Sequence, residues 1–222
     1  MHTRQAPLLA AAAAVCGALA ILSAPWALAQ PWLNFVFKPL TTLLIIAYAW
    51  PRGRARPAAR RWVLAGLWLS LAGDVALLWP DRGFLPGLVS FLLAHLAYLR
   101  AFTRDGVGLA ARRLPFVVYG LVAAVVLWQL WPGVPPGLRV PVLAYVVCLA
   151  SMAAQAATVG WVAWDTPRRQ AGLWLALGGA LFLCSDALLA TNRFAAPLPL
   201  SGLWILLSYW LAQWCIASWL EA

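Results

Sequence analysis

Eight stretches of this chain, about residues 7–28, 33–50, 62–79, 85–101, 114–131, 140–163, 171–190 and 200–220, are almost continuously apolar. About 20 apolar residues let an α-helix cross roughly 30 Å of hydrocarbon, and runs of 17–18 fall at the short end of that range. Lipid offers no hydrogen bonds to the backbone, so a spanning segment must be a helix or part of a closed barrel. Runs of this length are helical spans. The expected fold is therefore an all-α membrane protein, a bundle of eight transmembrane helices. The separators are short and rich in turn formers, such as Pro51-Arg52-Gly53-Arg54, Trp79-Pro80-Asp81-Arg82-Gly83 and Trp131-Pro132-Gly133. No linker or soluble domain interrupts them, so residues 1–222 read as one polytopic domain. No internal repeat is visible in the sequence.

Composition agrees: 64% of the 222 residues are hydrophobic and 10% are charged. The net charge of +10 would suggest nucleic acid on a soluble chain. Here the cations lie between spans, where they set topology and meet anionic headgroups, so no nucleic-acid partner is expected. With Arg4 placed in the cytoplasm, one side also holds Arg52, Arg54, Arg56, Arg60, Arg61, Arg100, Arg104, Arg112, Arg113, Arg168 and Arg169. The other holds Arg82, Arg139 and Arg193. Twelve against three places both termini in the cytoplasm. Ala27-Leu28-Ala29 before Gln30 offers a signal-peptide reading of residues 1–29. The run is long enough to span by itself, so retention is expected; cleavage would leave seven spans in the same orientation. Cys16, Cys148, Cys184 and Cys215 all lie in apolar runs without CxxC spacing and read as packing residues. With two His, a three-His zinc site is excluded, and no metal or cofactor is expected. Arg in place of Lys, with abundant Ala, Leu and Trp, suggests a GC-rich bacterial gene and hence the inner membrane.

Against this background, Lys38, Asp74 and Asp186 lie inside apolar runs. A charge at the bilayer centre costs at least roughly 2.5–3.5 kcal/mol, so intramembrane ionisable residues are rare and usually functional. Each stands six residues from the same membrane face, counted from Trp32, Pro80 and Asn192. At 1.5 Å per residue, all three fall in one layer about 9 Å below the outer boundary. Asn34 shares a face with Lys38, and Ser70 with Asp74. His95 and Tyr98 lie on the fourth run, Tyr145, Met152 and Gln155 on the sixth, and Tyr209 and Gln213 on the eighth. The bland readings are snorkelling for Lys38 and interhelical hydrogen bonding for the tyrosines and glutamines.

These residues carry a resemblance. Asn34 with Phe37-Lys38-Pro39-Leu40-Thr41, Ser70-Leu71-Ala72-Gly73-Asp74, Phe91 with His95 and Tyr98, Phe182-Leu183-Cys184-Ser185-Asp186-Ala187-Leu188-Leu189-Ala190, and Tyr209-Trp210 with Ala212-Gln213 occur in order along nearly the whole chain. Together they resemble the YhhN-like lysoplasmalogenase family of integral membrane hydrolases. The resemblance implies eight helices and hydrolysis of the vinyl-ether bond of a lysoplasmalogen to a fatty aldehyde and a glycerophospho-base. It matches the two family aspartates to Asp74 and Asp186. The partner implied is a lysophospholipid with a single alkenyl chain. In bacteria without plasmalogens the substrate would be another ether lipid or a related amphiphile.

A vinyl ether hydrolyses by protonation of its β-carbon, and water captures the oxocarbenium ion. Two carboxyls in unlike environments can serve as proton donor and water-activating base. Lys38 would hold one as carboxylate; the sequence leaves open which. Asn34, Lys38, His95, Tyr98, Tyr209 and Gln213 are candidates to bind substrate or orient water, with Lys38 or Arg193 meeting the phosphate. Asp74→Asn and Asp186→Asn are each expected to abolish turnover. The competing class is a small membrane transporter or lipid-binding protein with an intramembrane Lys/Asp relay. The third is a scaffold in which these contacts only specify packing.

Overall fold

The computed structural model describes residues 2–79, 81–104 and 106–221. Pro80 and the side chains of His2 and Arg4 lie outside them. The described residues form eight α-helices: α1 His2–Leu22, α2 Pro31–Ala49, α3 Pro57–Ala76, α4 Phe84–Thr103, α5 Arg113–Leu130, α6 Arg139–Val162, α7 Arg169–Phe194 and α8 Ser201–Ser218. Short 3-10 turns follow α5 and α8 and precede α6. There is no strand among the described residues. Each apolar run became a helix, with boundaries shifted by a few residues. The largest shift is in the first run, where α1 ends at Leu22 and residues 23–28 fold into turns. Pro31 and Pro57 open α2 and α3, where their missing N–H costs nothing and their fixed φ suits a helix.

Among the described residues, five helical segments are long and apolar enough to cross a membrane: Pro31–Ala49, Phe84–Thr103, Arg113–Gly133, Pro136–Val162 and Arg169–Phe194. The apolar part of α1, Ala6–Leu22, is shorter. Large apolar side chains face outward all round the bundle; α5 alone exposes Leu114, Val117, Leu121, Val125 and Trp128. A water-facing surface would not carry such a belt, and a lipid-facing one does.

Helix neighbours run α2–α3–α4–α6–α7–α8 and back to α2, a closed ring of six. α1 packs outside it on α2 and α8, and α5 outside it on α6 and α7. Exchanging α1–α4 for α5–α8 maps the contacts onto one another. α3 on α4 becomes α7 on α8, α2 on α3 becomes α6 on α7, α4 on α6 becomes α8 on α2, and α1 on α2 becomes α5 on α6. The sequence shows no repeat, but the packing is that of two four-helix halves. The correspondence fails at α5, which leans toward α7 instead of α4.

One end of the bundle collects the Arg-rich connections. There Arg56 donates to the Trp219 carbonyl (2.5 Å), and Gln155 of α6 holds the α4–α5 loop through Ala110 N–H (3.1 Å) and the Val107 and Gly108 carbonyls. At the Arg-poor end, the α5–α6 turn sits on the end of α7. A Cβ on Gly133 would lie 1.7 Å from the Phe194 carbonyl oxygen, so only glycine fits there.

Candidate active site

Asp74 and Asp186 occupy corresponding places on α3 and α7, and each is held by the two flanking helices of its own centre. Asp74 is 1% exposed. Its Oδ2 accepts hydrogen bonds from Thr42 of α2 (2.6 Å) and Tyr209 of α8 (2.8 Å). Lys38 Nζ lies 3.8 Å from its Oδ1, an ion pair shielded from solvent. Trp210 Nε1–H donates to Thr42 Oγ1 (3.2 Å), fixing the hydroxyl that serves Asp74. Burial of two unlike charges is tolerable only when they are paired and their remaining lone pairs are satisfied. Here the charges are paired, and two hydroxyl donors satisfy Asp74 Oδ2.

Asp186 sits in the second centre. Its Oδ2 accepts from Tyr145 of α6 (2.5 Å), and His95 Nε2 of α4 lies 3.0 Å from the Tyr145 oxygen and 3.4 Å from the same Oδ2. His95 Nδ1 is buried without a partner among the described residues. A proton on His95 Nε2 would point toward the Tyr145 oxygen while Tyr145 donates to Asp186.

An aromatic wall divides the two centres. Phe182 packs edge-on against both His95 (4.6 Å) and Tyr209 (5.6 Å), and Phe91 meets Phe182 (6.5 Å) and Tyr209 (5.7 Å). Lys38 pairs with Asp74, and the contacts of Asp186 are to α4 and α6. α3 comes close enough to α4 for this wall because its residues there are glycine. A Cβ on Gly73 would lie 2.6 Å from the Phe91 ring, and one on Gly66 2.3 Å from the Tyr98 ring.

The centres differ in access. Beside Asp186 lies a cavity of about 430 Å³, bounded by α4, α5, α6 and α7 and almost wholly apolar. It is the space left because α5 leans away from α4. It runs along α7 from Phe194 and Ala190 past Asp186 to Ala180, about 20 Å of helix, with Phe84 and Val134 at the Arg-poor end and Leu149 deep. The α7 wall is half-buried and Cys184 exposed, and α5 and α7 touch only sparsely, so the cavity opens sideways between them. Asp74 does not line it.

The matched family model is the YhhN family, over residues 33–220. The chain belongs to the YhhN family. It is 32% identical over 195 residues to a Sus scrofa protein named lysoplasmalogenase TMEM86B, covering 83% of this chain and 74% of that one. It is 31% identical over 197 residues to Homo sapiens lysoplasmalogenase TMEM86A, covering 84% and 77%. A Mycobacterium bovis lysoplasmalogenase is 31% identical over 166 residues, covering 71% and 59%. No solved structure matches this chain.

In this YhhN-family chain the fold distributes the candidate residues unevenly. Lys38 and Tyr209 join Asp74, and His95 joins Asp186. Tyr98 donates to Gln213 Oε1 (2.6 Å), a buried pair touching neither carboxylate. Asn34 Oδ1 is buried without a partner among the described residues. Arg193 lies at the Arg-poor end, its guanidinium over the Phe84 ring and 3.9 Å from the exposed Asp81 carboxylate. Sequence reasoning gave no role to Thr42, although it stands one turn from Lys38, and it read Tyr145 as packing glue. It had no signal for the cavity, and it passed over Tyr119 of α5, which lines it.

Proposed function

We propose that this protein is a lysoplasmalogenase, a multi-pass membrane hydrolase that cleaves the vinyl ether of a single-chain alkenyl lysophospholipid. The observation that carries the reading is the position of Asp186, a carboxyl on the wall of an apolar cavity sized for a lipid chain. Three named lysoplasmalogenases at about 30% identity over most of the chain support it. The apolar lining suits the alkenyl chain, whose transfer from water is favourable by about 0.8 kcal/mol per buried CH₂. The sideways opening suits entry from the bilayer.

Asp186 donates its carboxyl proton to the β-carbon of the vinyl ether. The oxocarbenium ion takes up water, whose proton returns to the Asp186 carboxylate. The hemiacetal then collapses to a fatty aldehyde and the free glycerol hydroxyl. Tyr145 and His95 fix the orientation of the carboxyl and share the charge that appears on it. Asp74 is the carboxylate that Lys38 holds ionised. It acts at a distance, anchoring Tyr209 and through it the Phe91–Phe182 wall behind His95. The remaining candidates, Asn34, Tyr98 and Gln213, support this frame.

All eight helices span the membrane in this reading, with the Arg-rich end and both termini in the cytoplasm, an orientation that the twelve-to-three distribution of arginines supports. The cavity then reaches the outer end of the bundle, in a bacterial inner membrane. The test is aldehyde release by purified protein from an alkenyl lysophospholipid, with the saturated alkyl ether as control. The expected result is release from the vinyl ether alone and none from Asp186→Asn. Absence of release from well-folded wild-type protein would refute the reading.

A further inference from the structure

The cavity is apolar, but a lysophospholipid carries a phosphodiester that has to be met at one end. Two arginines stand near the Arg-poor end of the cavity without lining it. Arg193 of α7 lies over the ring of Phe84, whose side chain lines the cavity, at 5.1 Å. Arg139 opens α6 three residues before the cavity-lining Val142, on the same helical face, with its guanidinium over Trp131 at 5.2 Å. Arg139 Nε is buried and has no hydrogen-bond partner among the described residues. A buried N–H donor left unpaired is costly, and its natural complement is an anionic oxygen. The partner of Arg193, Asp81, is 95% exposed at its side chain, and an exposed ion pair of this kind is weak and easily displaced.

The spacing matches the substrate. Arg193 is seven residues from Asp186 on α7, about 10 Å along the axis, and Arg139 is six residues from Tyr145 on α6, about 9 Å. In an alkenyl lysophospholipid, seven bonds separate the phosphorus from the β-carbon that receives the proton. An extended chain advances roughly 1.2 Å per bond, which gives about 8 Å. A phosphate seated between the two arginines would therefore bring the vinyl ether level with Asp186 and leave the tail to run past Leu149 toward Ala180.

We propose that Arg139 and Arg193 form a phosphate-binding rim that grips the lysophospholipid phosphodiester and sets the vinyl ether in register with Asp186. The proposal rests on the lysoplasmalogenase reading for its substrate, and binding tests it independently of turnover. In detergent-purified full-length protein, a saturated 1-O-alkyl lysophospholipid should raise the unfolding temperature more than the phosphate-free 1-O-alkylglycerol. Arg139→Gln and Arg193→Gln should each weaken its binding about tenfold, and together remove its advantage over the alkylglycerol. Lys at either position should restore part of it. In turnover, each Gln variant should raise KM for the alkenyl lysophospholipid about tenfold with little change in kcat. Inorganic phosphate and diacyl phosphatidylglycerol should not mimic the ligand. Equal binding of the two ether lipids by wild-type protein would overturn the rim. So would equal losses for both lipids in the variants, or stabilisation by phosphatidylglycerol alone, the mark of ordinary contact with bilayer headgroups. If wild-type protein binds the phospholipid through the arginines but releases no aldehyde, the rim stands and the hydrolase reading falls.

Discussion

Replacing Asp74 with Asn should destabilise the protein far more than so small a change suggests. The side chains of Lys38 and Asp74 are 8% and 2% exposed and 3.8 Å apart. At that separation, with an effective dielectric of 20, their attraction is about 4 kcal/mol. Removing one partner of a buried pair costs about 3–5 kcal/mol, because the other is left charged without compensation. Asn keeps an oxygen for Thr42 and Tyr209, so the loss reports mainly the stranded Lys38. For a chain of this length about 2–4 °C of unfolding temperature accompanies each kcal/mol, so Asp74→Asn should melt roughly 10 °C lower. Lys38→Met should do the same from the other side. The double variant, with no buried charge at either position, should recover most of the loss, a coupling well above that of independent sites. The assay is thermal unfolding in detergent followed by tryptophan fluorescence, paired with aldehyde release per folded molecule. Single variants within 2 °C of wild type, or losses that simply add, would refute the ion-pair argument. A double variant that is stable but inactive would show that Lys38 or Asp74 takes part in the chemistry itself.

Tyr145→Phe removes the O–H that holds Asp186 but keeps the ring, and should lower kcat about tenfold or more with KM little changed, measured by aldehyde release. Ala180→Phe fills the deep end of the cavity and should shift preference toward shorter alkenyl chains, read from KM across a chain-length series. Gly66→Ala puts a methyl 2.3 Å from the buried Tyr98 ring and should cost about 1–3 kcal/mol, seen as a lower unfolding temperature.

The apolar runs, the arginine asymmetry and the isolated Lys38, Asp74 and Asp186 were all legible in the residues, because lipid imposes one rule on every residue of a span. That rule fixes helix and approximate depth, and it flags any ionisable group that breaks it. It says nothing about which helices are neighbours. The ring order therefore had to come from packing, and with it the pairing of Lys38 with Asp74 and of His95 and Tyr145 with Asp186. Small residues such as Gly66, Gly73 and Gly133 are ordinary in any apolar helix or turn; their meaning lies in the ring or carbonyl that touches them. The cavity is further still from the sequence. It arises because α5 leans toward α7 where α1, its counterpart, packs on α2 and α8, and no single residue of α5 states that angle. The sequence determined which groups would be buried and ionisable. Tertiary structure decided which carboxyl is sealed in an ion pair and which faces a space that a substrate can enter, because that choice depends on contacts between separate helices, from 32 residues apart for Thr42 and Asp74 to 135 for Tyr209 and Asp74.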